Sequence, residues 1–100
     1  MNMKQLLIDN KRELKKYCLE NQIKFFGLFG SFGRGEAKKN SDIDILVDFY
    51  KTKSLMEIGG IQYDLEKMLG RPVDLISKKN IKPALRENIL SDVKVLYEKK

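Results

Sequence analysis

Histidine is absent from this sequence of 100 residues, and cysteine occurs once. Without histidine there can be no Ser-His-Asp or Cys-His nucleophile pair and none of the usual zinc ligand sets, so acid-base and metal work falls to carboxylates. Cys18 alone cannot close an internal disulfide. It falls on the apolar side of a predicted helix, where packing is the expected role and thiol reactivity the alternative. Long apolar runs are missing too: nothing approaches the ~18 residues of a membrane span, and no membrane partner is expected. The start, Met1 to Lys16, spreads its charges along a helical pattern and lacks the continuous apolar core of a signal peptide. The expected compartment is the cytoplasm. With no repeats, linkers or low-complexity stretches, residues 1–100 are expected to form one domain. Its core would be modest, burying roughly 60 to 70% of the surface the unfolded chain exposes.

What is present describes a globular protein that folds in water: 42% hydrophobic and 34% charged residues, with a net charge of +6. That excess allows nucleic acid, nucleotides or an acidic protein as partner. Its lysines and arginines are scattered, however, and for most of them a solvated face is the expected role.

Helical spacing of Met3, Leu7, Leu14, Tyr17 and Cys18 predicts a helix over 3–20 that stops near Asn21. Ile23 to Phe29 is short, aromatic and branched, and ends at Gly30, as a buried strand does. Over 42–49 polarity alternates: Ile43, Ile45, Val47 and Phe49 share one side, and Asp42, Asp44, Leu46 and Asp48 the other. Ser54 and Glu57 form a capping box that opens a helix whose apolar positions are Leu55, Ile58, Ile61, Leu65 and Leu69, closed by Gly70 and Pro72. Val73 to Ile76 reads as a third strand, and 80–90 as a helix that tolerates Pro83 only in its first turn. For the tail, 93–97, helix and edge strand both remain open. The fold class expected is α/β (α+β), with a small three- to four-stranded mixed sheet flanked by helices.

Aspartates stand out in this pattern. Residues two apart on a strand project to the same side roughly 6 to 7 Å apart, so Asp42 and Asp44 can converge on one cation or a close pair. Two such carboxylates repel each other unless a cation lies between them. Asp74, from a neighbouring strand, could complete a set of three hard oxygen donors suited to magnesium, with manganese as substitute. The alternative is that each is a strand-end turn residue or a helix cap. Gly30-Ser31 follows a strand, and its backbone N–H groups and the Ser31 hydroxyl can face a phosphate that Gly30 allows close, with Arg34 adding charge. "GSFGRG" is neither a P-loop nor a dinucleotide fingerprint, and alone it would read as a flexible turn. Asp48, two steps beyond Leu46, is expected to be solvated or turn-forming. Lys38, Lys39 and Asn40 are expected in a solvated loop, with contact to a triphosphate as the alternative. Phe25, Phe26, Phe29 and Phe49 lie on predicted strands and read as core, not as a base-stacking platform.

Gly30-Ser31, ten intervening residues and then Asp42-Ile43-Asp44 resemble the signature of the DNA polymerase β-like nucleotidyltransferase superfamily. Nearly the whole chain is similar to its smallest members, the minimal nucleotidyltransferases (MNT), through "GRPVDLI" at 70–76 and the closing "ILSDVKVLYEK". One departure is Gly33, where the family often has alanine before the arginine. The resemblance implies a single minimal nucleotidyltransferase domain over 1–100, transferring AMP from ATP to a hydroxyl with release of pyrophosphate. It further implies that Asp42 and Asp44 hold two Mg²⁺ ions, that Asp74 binds one and helps deprotonate the acceptor, and that Gly30, Ser31 and Arg34 hold phosphates.

Relatives of this size are typically paired with a HEPN ribonuclease toxin, which they silence by adenylylating a tyrosine. By that likeness ATP is the donor, a HEPN toxin is the protein partner and co-assembles with the chain, and nucleic acid is not the direct substrate. Two alternatives stand beside it. One is an antitoxin that neutralises by binding alone; the other is a small-molecule nucleotidyltransferase of the aminoglycoside-modifying kind, which usually carries a further helical domain.

Overall fold

The structure, a computed structural model, describes residues 11–35 and 42–99. Met3 and Leu7, expected in the first helix, and Lys38, Lys39 and Asn40, expected in a loop, lie outside the described residues. The first described helix, α1 (Lys11–Glu20), buries Leu14 and Cys18 one turn apart. It stops where the sequence predicts, because the Asn21 side chain donates to the Tyr17 carbonyl at 2.9 Å and Gln22 turns the chain with φ 56°. Burial pushes the Cys18 thiol up to about 12, which suits a packed group.

Among the described residues four strands form one sheet in the order β3-β2-β1-β4, with β1 (Ile23–Phe29) and β2 (Ile43–Phe49) at its centre. β1 runs antiparallel to both β2 and β4 (Lys94–Glu98), whereas β3 (Val73–Ser77) runs parallel to β2. The tail is therefore an edge strand. β1 runs directly into a short helical turn, α2 (Gly30–Gly33).

The parallel pairing of β2 and β3 requires a crossover, supplied by α3 (Leu55–Leu69). Its capping box is present in both directions: the Ser54 hydroxyl accepts from the Glu57 N–H at 3.1 Å, and the Glu57 carboxylate accepts from the Ser54 N–H at 3.2 Å. Gly70, left-handed, ends it. Ile61, Leu65 and Leu69 face the sheet, but Leu55, expected on that stripe, is 86% exposed. It is the first residue after the cap, where the chain has not yet turned onto the sheet. A 3₁₀ turn (Lys78–Asn80) leads to α4 (Pro83–Asp92), which starts later than predicted because Pro83 takes the first helical position.

Helices cover both faces of the sheet. Ile43, Ile45, Val47 and Phe49 pack with Phe26 and Leu28 against α1 and α3. On the other face Leu46 is fully buried with Phe25, Phe29 and Ile81, and Ile89, Leu90 and Val93 close over them. Phe25, Phe26, Phe29 and Phe49 are all core. The face of β2 that carries its aspartates is therefore apolar at Leu46 and polar only toward its ends.

Removing the cap tests how far α3 depends on it. Ser54→Ala should cost about 1 kcal/mol, lowering the thermal midpoint by about 4 to 8 °C for a chain of this size. Circular dichroism on heating would measure it.

Candidate active site

Asp44 is the second residue of β2 and Asp74 the second of β3, and the parallel register sets them directly opposite each other. Neighbouring strands lie about 4.8 Å apart, so both carboxylates leave the sheet on one face and at one end. Asp42 immediately precedes β2 and shares that side by alternation. Asp42 and Asp74 are exposed, while Asp44 is partly buried. Burial raises the Asp44 pKa first, then the charges of Asp74 and Asp42, with the Arg34 guanidinium pulling the other way.

The glycine-serine turn reaches the same place from β1. Phe29 pairs with Asp44, so Gly30, the next residue, emerges beside the Asp44 carboxylate. Gly30 has φ 63°, and a Cβ built on it would meet Asp44 Oδ2 closer than real Cβ contacts allow. Any other residue here would strain a left-handed backbone, and its Cβ would make the Asp44 carboxylate swing aside. Ser31 follows in α2, partly buried. The turn closes when the Arg34 N–H donates to the Gly30 carbonyl at 3.0 Å.

Arg34 reaches beyond the turn. Its Nη1 donates to Asp92 Oδ2 at 2.8 Å, at the last residue of α4. Gly33 explains itself at the same spot, since a Cβ there would run into the Asp92 carbonyl and lie 2.8 Å from the Leu28 carbonyl. The local departure from the family's usual alanine therefore lets α2 sit against the end of α4. Asp92 escaped the sequence reading because 58 positions separate it from Arg34; the available signal was an acidic residue ending a helix that has no basic residue in its last turn.

Asp48 stands apart from the cluster. Its Oδ2 lies 3.5 Å from Lys24 Nζ, and its Oδ1 accepts from the Phe49 N–H at 3.0 Å. A cleft of about 110 Å³ beside it, lined in part by Phe49, Lys53, Ser77 and Asn80, opens at the opposite end of β2 from Asp42 and Asp44.

The residues at the aspartate end suit a hard divalent cation in their chemistry: carboxylate oxygens gathered on one face, with Asp44 destabilised as an anion by burial first and then by its two neighbours. Among the described residues no three acidic, histidine or cysteine side chains are drawn together closely enough to hold an ion by themselves. Magnesium does not need that, because it is commonly held by one or two carboxylates together with substrate phosphates and water.

Residues 11–96 match the family model described as a nucleotidyltransferase domain. The chain belongs to that family. Among its relatives, protein adenylyltransferase MntA of Thermococcus cleftensis is 38% identical over 91 residues, covering 91% of this chain and 89% of the relative. Among solved structures, a toxin-antitoxin crystallised with AMP-PNP superposes with a TM-score of 0.77 at 26% identity, covering 91% of this chain and 75% of that one. A Shewanella oneidensis structure, a tri-AMPylated HEPN toxin in complex with MNT antitoxin, shares the fold with a TM-score of 0.71 at 24% identity over 97% of this chain and 74% of that one. The mixed four-stranded sheet is thus the nucleotidyltransferase fold, and the chain is a nucleotidyltransferase whose relatives are named protein adenylyltransferases. Among the described residues no helix is long and apolar enough to cross a membrane.

Two outcomes follow from the crowding at Asp44. Its carboxyl holds a proton more firmly in the folded chain than in the unfolded one, so ionising it burdens the fold as pH rises through its folded pKa. Asp44→Asn should raise the thermal midpoint of the metal-free protein by a few degrees at pH 7, and the gain should vanish once pH falls below the unfolded value near 3.8. Gly30→Ala should act oppositely, losing about 1 kcal/mol or more for the left-handed backbone alone; denaturant titration of the two variants would read both signs.

Proposed function

We propose that this nucleotidyltransferase moves AMP from ATP to a hydroxyl of a partner protein, specifically a tyrosine of a HEPN ribonuclease toxin, and thereby acts as its antitoxin. The observation that carries the chemistry is the opposition of Asp44 and Asp74 at the strand end where Gly30 approaches. The partner is suggested by the relative named a protein adenylyltransferase and by the AMP-PNP toxin-antitoxin structure. Residues 1–100 would work as one domain, and no membrane or nucleic-acid substrate enters the scheme.

In this reading Asp42 and Asp44 would hold two Mg²⁺ ions, or Mn²⁺ in their place, and Asp74 one of them. When bound, such ions neutralise phosphate charge and acidify a coordinated hydroxyl. Gly30 gives the triphosphate close access to the backbone. Ser31 donates its hydroxyl to the leaving phosphates, and Arg34 adds a guanidinium. The acceptor oxygen attacks the α-phosphorus in line, while its proton passes to a carboxylate oxygen of Asp74. A phosphorus–oxygen bond forms, the bond to the β-phosphate bridge breaks, and its electron pair leaves with pyrophosphate. Positioning and charge neutralisation supply the catalysis, which a chain without histidine can still deliver.

Incubation with a HEPN toxin, ATP and Mg²⁺ should add about one AMP mass per modified tyrosine, located by peptide mass spectrometry. Asp42→Ala combined with Asp44→Ala should reduce transfer by at least about a hundredfold and release the toxin. Neutralisation that survives the double change would replace catalysis with binding as the antitoxin mechanism.

A further inference from the structure

Asp92 is the last residue of α4, where the helix dipole disfavours a negative charge, and α4 has no basic residue in its last turn to offset it. The offsetting cation comes from another part of the chain: Arg34 Nη1 lies 2.8 Å from Asp92 Oδ2. Gly33, the preceding residue, packs against the Asp92 backbone carbonyl so closely that a methyl group would collide with it. Two consecutive residues of the phosphate-facing turn are thus fastened to one residue of α4, once by backbone packing and once by charge. The pair is partly open to solvent, at 44% and 28% side-chain exposure, so its contribution to stability is small.

Such an arrangement is costly to α4 and of little use to the core, but it orients a guanidinium. Five N–H donors lie in one rigid fork, so a carboxylate anchored on one nitrogen sets the direction of the whole plane. Held this way, Arg34 stays at the site, because its own backbone N–H donates to the Gly30 carbonyl at 3.0 Å and Gly30 lies against the Asp44 carboxylate. We propose that Asp92 is a positioning residue for the nucleotide site, holding the Arg34 guanidinium in the orientation in which it meets the triphosphate before ATP arrives. The inference rests on the reading of Arg34 as a phosphate contact. It adds that the end of α4, far away in sequence, tunes affinity for the donor by pre-ordering a flexible side chain.

The proposal separates affinity from stability, which a purely structural ion pair would not do. Calorimetric titration of the 100-residue chain with ATP and Mg²⁺, alongside thermal unfolding without ligand, is to be carried out on wild type, Asp92→Asn, Asp92→Glu, Arg34→Gln and the Arg34→Gln, Asp92→Asn double variant. Asp92→Asn should weaken ATP binding roughly three- to tenfold while leaving the thermal midpoint unchanged or slightly higher, since a helix C-terminus loses an unfavourable charge. Asp92→Glu should keep most of the affinity. In the Arg34→Gln background the Asp92 change should have no further effect. A lowered midpoint with unchanged affinity, or equal weakening with and without Arg34, would overturn the inference and leave Arg34 as a phosphate contact. Arg34→Gln binding ATP as wild type does would instead remove the underlying reading, and the inference with it. Transfer lost in the Asp42, Asp44 double variant reports on the catalytic reading independently of both.

Discussion

Everything at the candidate site depends on one close approach, that of the Asp44 carboxylate to the backbone of Gly30. It is set by register, because Phe29 pairs with Asp44 and the chain must then leave β1 immediately beside that carboxylate. A left-handed turn is required there, which glycine adopts without strain, and the missing side chain lets the Asp44 carboxylate lie against the backbone. The same register, carried into the parallel neighbour, puts Asp74 across from Asp44. A slip of one residue in either pairing would send the aspartates to the opposite face, into the Ile43 and Ile45 layer.

The surrounding fold tolerates this concentration of charge because it holds the sheet from both sides. Leu46 is fully buried between Asp44 and Asp48, so the strand that carries the acidic residues is itself anchored by an apolar centre. The charge is confined to the strand ends, where solvent or a ligand can meet it. Asp44 remains less stable as an anion than an ordinary carboxylate. Its ionised form therefore works against folding, a cost that the proposed role as a cation ligand would offset.

Much of this was legible along the chain. Period-two alternation over 42–49, the 3-to-4 spacing of Ile58, Ile61, Leu65 and Leu69, and the Ser54 and Glu57 box each report local geometry, and local geometry is what spacing encodes. Leu55 shows the limit: it fits the apolar stripe but lies at the cap, outside the sheet's reach. The tail resisted assignment because a five-residue segment carries little periodic signal and becomes a strand only by pairing with β1. Pro83 delayed α4 by claiming its first position, which propensity alone did not reveal.

By itself, the sequence determined which residues could act: no histidine, paired aspartates two apart, a third on a later strand, and a glycine-serine turn ahead of them. Those choices are local, governed by side-chain chemistry and by alternation along a strand. Tertiary structure alone decided which of them meet. Sheet register joined Gly30, Asp44 and Asp74 across three separate segments. The packing of α4 on the sheet brought Asp92 to Arg34 over 58 positions. Contacts of that range arise from the mutual burial of distant apolar faces, and no window of consecutive residues contains them.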